Sequence, residues 1–278
     1  MSPAADRRWL TLAIVGAAFF MTILDVAIVN VAIPSIEEEL NISEQTVQWV
    51  ITAYAITFGG FLLLGGRMAD LLGRRAIFLV GLSLFTVASL VCGFANSSGV
   101  LIGARAVQGL GAAIISPAAL SIVTTTFREG AERNKALGIW GALGGSGAAA
   151  GVLFGGLLTK YLGWEWIFWV NVPVGVLVFF LALRLVPESR ADLGHHKFDA
   201  AGAVTITSSL TLLVYAISKA PDVGWATGRT IGLLIASAVL FTLSIFIEMR
   251  SSAPLVPLRI FKLRSLLGAN VVGFLLGA

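Results

Sequence analysis

Charged residues are scarce in this 278-residue chain, where Asp, Glu, Lys and Arg together make up only 12% of the sequence. A soluble domain carries about 25% of such residues, so the composition argues against a water-soluble globular fold. The single cysteine, Cys92, excludes a disulfide framework. The sequence also lacks a nucleophile–base pair, a nucleotide-binding loop and a cluster of metal ligands. We therefore expect neither an enzyme nor a metal site.

Apolar residues make up 57% of the chain and fall into runs of about 20 residues, each long enough to cross a bilayer as a helix. A transmembrane barrel is disfavoured, because barrel strands alternate and are only about 10 residues long. We predict an all-α integral membrane protein. Its eight full spans are expected over residues 10–33, 47–66, 76–95, 100–126, 136–158, 166–186, 200–218 and 230–249. A ninth apolar run, 266–278, is too short to span, so we expect a truncated ninth span.

The basic residues are distributed unevenly between the two sides of these spans. With the N-terminus inside, 15 of the 19 Lys and Arg residues fall in inner segments and three in outer ones. Cytoplasmic loops are enriched in Lys and Arg. The sequence therefore predicts a multi-pass protein of the cell membrane with a cytoplasmic N-terminus.

Two charges interrupt the apolar runs. Asp25 lies about 13 Å below the outer end of span 1, and Arg105 lies about 10 Å below the outer end of span 4. Ionisable residues at such depth are costly and usually functional. Desolvation favours the neutral carboxyl group whereas a nearby cation favours the carboxylate, which suits a proton-binding site. The alternatives are a static buried salt bridge, or an arginine that snorkels to the outer interface.

Two amides accompany these charges. Gln108 lies one helical turn after Arg105, so both side chains can face one cavity. Asn30 follows Asp25 by five positions and lies on a different face of span 1. We predict both amides to line a substrate cavity, with hydrogen bonds between helices as the alternative.

Glycine and charge are concentrated at two further places. The loop after span 2 contains Gly66, Asp70, Gly73, Arg74 and Arg75, which suits a tight turn with ion pairs that open and close. Positive-inside anchoring is the alternative interpretation of its arginines. In span 5, helical spacing places three glycines on one face, where another backbone can pack closely. These glycines, with the one that follows, are Gly147, Gly151, Gly155 and Gly156.

Together these segments resemble the 14-span drug:proton antiporters of the major facilitator superfamily. The resemblance rests on Leu24–Pro34 in span 1, Gly65–Arg75 after span 2, Arg105–Ala113 in span 4, Gly141–Gly156 in span 5 and Trp164–Gly175 in span 6. It implies that Asp25 and Arg105 couple transport to protons, that Asp70 and Arg74 latch a cytoplasmic gate, and that the span-5 glycines form a sliding interface. The chain departs from the pattern at Leu71, where a basic residue is common, and at Val152, where the family has proline.

The resemblance also implies the organisation of the chain. Residues 1–190 would form the N-terminal six-helix bundle, 191–264 a linker with spans 7 and 8, and 265–278 the start of a second, truncated bundle. We predict proton-coupled efflux of drugs or other small amphipathic molecules, with the proton gradient as energy source and no cofactor. The expected partners are the substrate, the lipid bilayer and either the missing half or a second copy, but no nucleic acid. An importer of the same fold and an inactive truncated fragment are the alternatives.

Overall fold

A computed structural model describes residues 3–190 and 200–251, together with Gly268. The predicted ninth span, apart from that glycine, and residues 191–199 and 252–264 of the predicted linker lie outside the described residues.

The described chain is helical, and eight of its helical stretches are long and apolar enough to cross a membrane. This confirms the eight predicted spans. The segments, in chain order, are α1 (Pro3–Glu39), α2 (Glu44–Leu72), α3 (Arg74–Gly93), α4 (Ser98–Thr126), α5 (Ala131–Tyr161), α6 (Trp166–Trp169), α7 (Asn171–Leu185), α8 (Ala200–Val223) and α9 (Gly228–Arg250). The sixth span consists of α6 and α7, which are separated at Val170.

Polar side chains mark where several helices begin. The Ser43 hydroxyl accepts a hydrogen bond from the Thr46 N–H at the start of α2, and Thr227 does the same for Thr230 at the start of α9. Such caps satisfy N–H groups that have no partner within the helix. α1 continues through Pro34 to Glu39, past the point where the predicted span ends. Since Glu37 to Glu39 are acidic, this added helix extends the span into water rather than into lipid.

Two apolar cores fill the interior of the bundle at different depths. One contains Val15, Ala18 and Met21 of α1 with Ile115 and Ala119 of α4. The other contains Ile28 and Val29 of α1 with Leu101 of α4 and Phe168 of α6. Asp25 follows the first set along α1 and precedes the second, and Arg105 likewise lies between the two sets along α4. The chain order therefore places both charges in a layer between the two cores.

The last two helices form a hairpin that packs against α2. Its two arms are joined by reciprocal hydrogen bonds, because Ser209 Oγ donates to the Ser237 carbonyl and Ser237 Oγ donates to the Ser209 carbonyl, both at 2.9 Å. Tyr215 and Trp49 bring their ring centroids to 6.1 Å between α8 and α2. These contacts seat the hairpin on the outside of the first six spans.

Candidate functional site

The two intramembrane charges contact each other directly. Arg105 Nη1 donates to Asp25 Oδ2 at 2.6 Å, and both side chains are fully buried, with 1% and 0% exposed. The regular rise of α1 and α4 brings them to one depth, as the sequence predicted. A buried charge is tolerated only when it is paired and hydrogen-bonded. The remaining polar atoms of this pair therefore need partners, and the neighbouring helices supply them.

Arg105 is held by three acceptors. Its Nε donates to the carbonyl oxygen of Val50 on α2 at 3.0 Å, and Nη1 donates to Gln108 Oε1 at 2.6 Å as well as to Asp25. The guanidinium group also lies 4.3 Å from the ring centroid of Tyr54. A planar guanidinium can satisfy such divergent acceptors, whereas a lysine presents a single compact charge. Arg105 thus ties α1, α2 and α4 together.

Gln108 joins the same cluster, with its amide facing Asp25. Its Nε2 donates to Asp25 Oδ1 at 2.8 Å and to Ser89 Oγ of α3 at 2.7 Å. This placement agrees with the helical spacing from Arg105. The amide is buried among protein groups, and its predicted contact with substrate stays a prediction.

The sequence interpretation missed Asn171. At the start of α7, Asn171 Nδ2 donates to Asp25 Oδ1 at 3.0 Å, and the residue is 1% exposed. Its segment, Trp164–Gly175, entered the sequence prediction only through the family resemblance. The available signal was an amide inside an apolar run, a residue type that often bonds between helices. Asp25 therefore receives donors from α4 and α7 in addition to its ion pair.

Asn30 does not join this cluster. It is exposed, and its Nδ2 donates to the carbonyl oxygen of Val26 in the preceding turn at 2.8 Å. Because Val26 lines the large cavity described next, Asn30 lies on the same face of α1, one turn further along the helix. Its predicted role toward substrate is neither supported nor contradicted by these contacts.

A cavity of about 640 Å³ adjoins the charged cluster, within the range of small-molecule sites. Its wall is almost entirely apolar and aromatic, and among the described residues Arg105 is the only charged one that lines it. Phe19 and Trp140 stack at 4.1 Å between ring centroids, and Tyr54 and Phe58 stack at 6.0 Å. Asp25 is not part of the wall. The cavity therefore meets the buried charges through Arg105.

The loop after α2 is a tight turn at Gly73. That residue has φ +117°, a conformation that side-chain-bearing residues rarely adopt, and a Cβ there would lie 2.9 Å from Glu188 Oε1. Gly66, one to two turns earlier, faces Pro117 of α4, to which an added Cβ would approach within 3.3 Å. The turn lets α3 start directly after α2 with the arginines at its first two positions.

The charges of this loop divide into two groups. Arg74 Nη2 lies 2.9 Å from Asp70 Oδ1, and its Nε donates to Ser121 Oγ at 2.6 Å. Asp70 keeps 37% of its side chain exposed. Arg75 instead lies 3.8 Å from Glu188, just after α7, and donates through Nη1 to the Val186 carbonyl oxygen at 3.1 Å.

Glu188 is a second residue that the sequence interpretation missed. Its carboxylate accepts hydrogen bonds from the backbone N–H groups of Arg75 at 3.1 Å and of Ala76 at 3.0 Å. It therefore caps the first turn of α3, where unpaired N–H groups and the helix dipole favour an anion. A glutamate 112 residues away in the chain gives no local signal of this contact.

The glycine stripe of α5 packs against α1, within the described bundle. Cβ atoms added at Gly147, Gly151 and Gly155 would lie 3.2 Å from Ile23 Cβ, 2.6 Å from Ala27 Cβ and 3.1 Å from the Ile28 carbonyl oxygen, respectively. Gly156 differs, because nothing lies within 4 Å of its added Cβ. Val152, which stands where the family resemblance expects proline, is exposed. The role of this interface in movement stays a prediction.

These features match a known family. A model of the Major Facilitator Superfamily matches residues 15–278. The chain belongs to that superfamily. Its transporters are not enzymes, and they use ion gradients without a cofactor. Membership of the Major Facilitator Superfamily agrees with the expectation drawn from the motifs of spans 1 to 6.

Curated superfamily relatives are named for drug resistance or export. The chain is 44% identical over 251 residues to the puromycin resistance protein pur8 of Streptomyces alboniger, covering 90% of this chain and 50% of that protein. It is 41% identical over 253 residues to the multidrug resistance protein Stp of Mycobacterium tuberculosis, covering 91% and 47%. The cephamycin export protein CmcT of Amycolatopsis lactamdurans is 39% identical over 263 residues, with 94% and 54% covered. The chain thus spans about half the length of these relatives.

The fold also matches that of a transporter of known structure. The crystal structure of the POT family transporter PepTSo aligns with a TM-score of 0.62 and covers 91% of this chain and 55% of that one. The aligned sequences are only 18% identical, so the likeness concerns the fold alone.

Proposed function

We propose that this chain is part of a proton-coupled exporter of drugs or other small amphipathic molecules in the cell membrane. The relatives named for resistance or export support efflux. The observation that carries proton coupling is the Asp25 carboxylate, fully buried and held by Arg105, Gln108 and Asn171 beside a cavity of drug size. Proton binding at Asp25 would weaken its contact with Arg105, which faces that cavity.

The other site residues take roles around this centre. Arg105 tunes proton binding, and Gln108 and Asn30 contact substrate. Gly66, Gly73 and Arg75 shape the loop in which Asp70 and Arg74 latch the cytoplasmic gate, supported by the partly exposed carboxylate of Asp70. Gly147, Gly151, Gly155 and Gly156 adjust the packing of α5 as the bundle moves. Residues 1–190 act as one bundle, 191–264 as a linker with spans 7 and 8, and 265–278 as the start of a second bundle.

The apolar and aromatic cavity wall indicates the substrate class. Its stacked rings suit flat or bulky amphipathic molecules, because aromatic side chains bind such surfaces with specific geometry. Small hydrophilic solutes would find few polar partners, since Arg105 is the only charged residue of the wall within the part of the chain that the structure describes. This favours drug-like substrates over sugars or amino acids.

The test is Asp25→Asn in the complete transporter, with export measured in vesicles under an imposed pH gradient. The amide keeps the shape of the carboxyl group but cannot exchange a proton. We expect gradient-driven export to be abolished while membrane insertion is retained. Glu129→Gln is the matched control, since that carboxylate is 88% exposed and far from the cluster in sequence. Undiminished gradient-driven export by Asp25→Asn would refute the proton role.

An importer of the same fold is the second candidate, favoured by Val152 at the position where the antiporters have proline. The two functions differ in the direction of proton movement. Substrate added to acid-loaded vesicles should release protons if the protein exchanges the two, whereas a symporter would carry protons and substrate in the same direction. A pH-sensitive dye inside the vesicles distinguishes these outcomes.

A further inference from the structure

A second cavity, of about 240 Å³, is rich in arginine. Arg7, Arg8, Arg75 and Arg184 line it, together with Thr11 and Thr126. It is too small for the substrates that the central cavity accommodates. None of its lining residues lines the central cavity.

The lining residues come from the ends of four spans. Arg7 and Arg8 stand where the apolar run of α1 begins, and Arg75 is the second residue of α3. Thr126 is the last residue of α4, and Arg184 lies in the last turn of α7. The cavity is therefore at the level where hydrocarbon gives way to lipid headgroups. The charge bias of the loops assigns this end to the cytoplasmic leaflet.

Two of the four cations have acidic partners. Arg8 pairs with Glu132 at 2.7 Å and Arg75 with Glu188 at 3.8 Å, and neither glutamate lines the cavity. Over residues 3–190 and 200–251, no ion pair includes Arg7 or Arg184. A concave site with an excess of one charge attracts a counter-ion, because like charges held together repel.

We propose that this cavity binds the phosphate group of an anionic lipid headgroup. Guanidinium groups match phosphate oxygens in geometry and charge, and the cavity presents four of them from three helices. Basic pockets between membrane helices on the cytoplasmic side suit anionic headgroups. Leu185, Val186 and Pro187 complete the wall with apolar surface, which suits the glycerol and first acyl carbons of a lipid better than a free ion. The proposal is independent of the transported substrate.

The test compares lipids on the purified 278-residue chain in detergent. Binding of phosphatidylglycerol and of phosphatidylcholine is measured by native mass spectrometry, and the thermal unfolding midpoint is followed at each lipid concentration. We expect phosphatidylglycerol to bind more tightly and to raise the midpoint. Each arginine near a membrane surface contributes about fivefold to such binding, so Arg7→Gln with Arg184→Gln should weaken it by about 25-fold.

The matched control is Arg128→Gln, an exposed arginine at the same end of the bundle that does not line the cavity. It should leave phosphatidylglycerol binding unchanged. If the double glutamine variant fails to fold, the double variant Arg7→Lys with Arg184→Lys replaces it. This variant keeps both charges but loses the planar guanidinium groups, so it should bind phosphatidylglycerol with intermediate affinity. Equal binding of phosphatidylcholine, or undiminished binding by the variants, would overturn the proposal. Competition by inorganic phosphate at concentrations equal to the lipid would also overturn it, in favour of a free anion.

Discussion

At the scale of single residues, the charge of Arg105 is compensated by groups from α1, from α2 and from its own helix, α4. Its acceptors are the Asp25 carboxylate, the Gln108 amide oxygen and a main-chain carbonyl of α2. Removing one partner of a buried ion pair leaves the other charge unpaired, which typically costs about 3–5 kcal/mol. Any step that neutralises Asp25 therefore changes the energy of Arg105 in the cavity wall, and this is the physical basis of the proposed coupling between a proton and the substrate.

Asn171 provides the first residue-scale prediction. Asn171→Ala removes one of the donors to Asp25 Oδ1, and donors of this kind stabilise the charged form of a carboxyl group. We expect the pH dependence of export by the complete transporter to change in this variant. Initial export rates measured over a series of pH values would show it.

Asn30→Ala serves as the comparison for Asn171→Ala, because it removes the same amide from a side chain that contacts only its own helix. If Asn30 contacts substrate as proposed, its variant alters the apparent affinity and leaves the pH profile in place. An unchanged pH profile in Asn171→Ala would contradict a role of Asn171 in the proposed binding of a proton at Asp25.

At the scale of helices, the contact between α1 and α5 depends on the absence of side chains along one face of α5. Gly151 faces the main chain of α1, where an added Cβ would lie 2.8 Å from the Leu24 carbonyl oxygen. Small residues at such positions let helices approach closely, so that packing and polar contacts stabilise them within lipid. Because Leu24 precedes Asp25, this contact also holds the turn of α1 that carries Asp25.

Gly151→Ala and Gly156→Ala form a matched pair at this interface. The first places a methyl group 2.6 Å from Ala27 Cβ, so α1 and α5 must separate, and overpacking of this kind costs about 1–3 kcal/mol. The second places it in open space, where alanine stabilises a helix by about 0.5–1 kcal/mol relative to glycine. We expect a lower thermal unfolding midpoint for Gly151→Ala and an equal or higher one for Gly156→Ala. Equal midpoints for the two variants would contradict the close packing of this stripe.

Some contacts between helices can be predicted from the sequence, and others cannot. The Asp25–Arg105 contact is predictable because a helix rises by a fixed amount per residue, so depth follows from sequence position. Asn171 and Glu188 are not predictable in this way. Which face of span 6 turns inward depends on packing against α1, and the cap of α3 depends on where a distant chain segment returns.

At the scale of the whole molecule, the distribution of charge and aromatic residues determines how the bundle sits in a membrane. The glutamates at the end of α1 lie at one end of the bundle, and the arginines at the start of α3 lie at the other. α1 and α2 extend past their predicted spans. The number of spans follows from the apolar runs of the sequence. The seating of the α8–α9 hairpin on α2 does not, since the Tyr215–Trp49 contact joins residues far apart in the chain.

The orientation of the bundle gives the last prediction. In a Cys92→Ala background, a cysteine at Glu38 should react with a membrane-impermeant thiol reagent added to intact cells, whereas one at Leu72 should react only after the membrane is opened. Both side chains are exposed, Glu38 near the end of α1 and Leu72 at the end of α2, on opposite sides of the bundle. Access of the reagent across the membrane, and not burial of the side chain, therefore decides the result. The physical reason is the excess of Lys and Arg, 15 against three, on the side that contains Leu72. The reverse labelling pattern would contradict this orientation, and it would move the arginine-lined cavity to the outer leaflet.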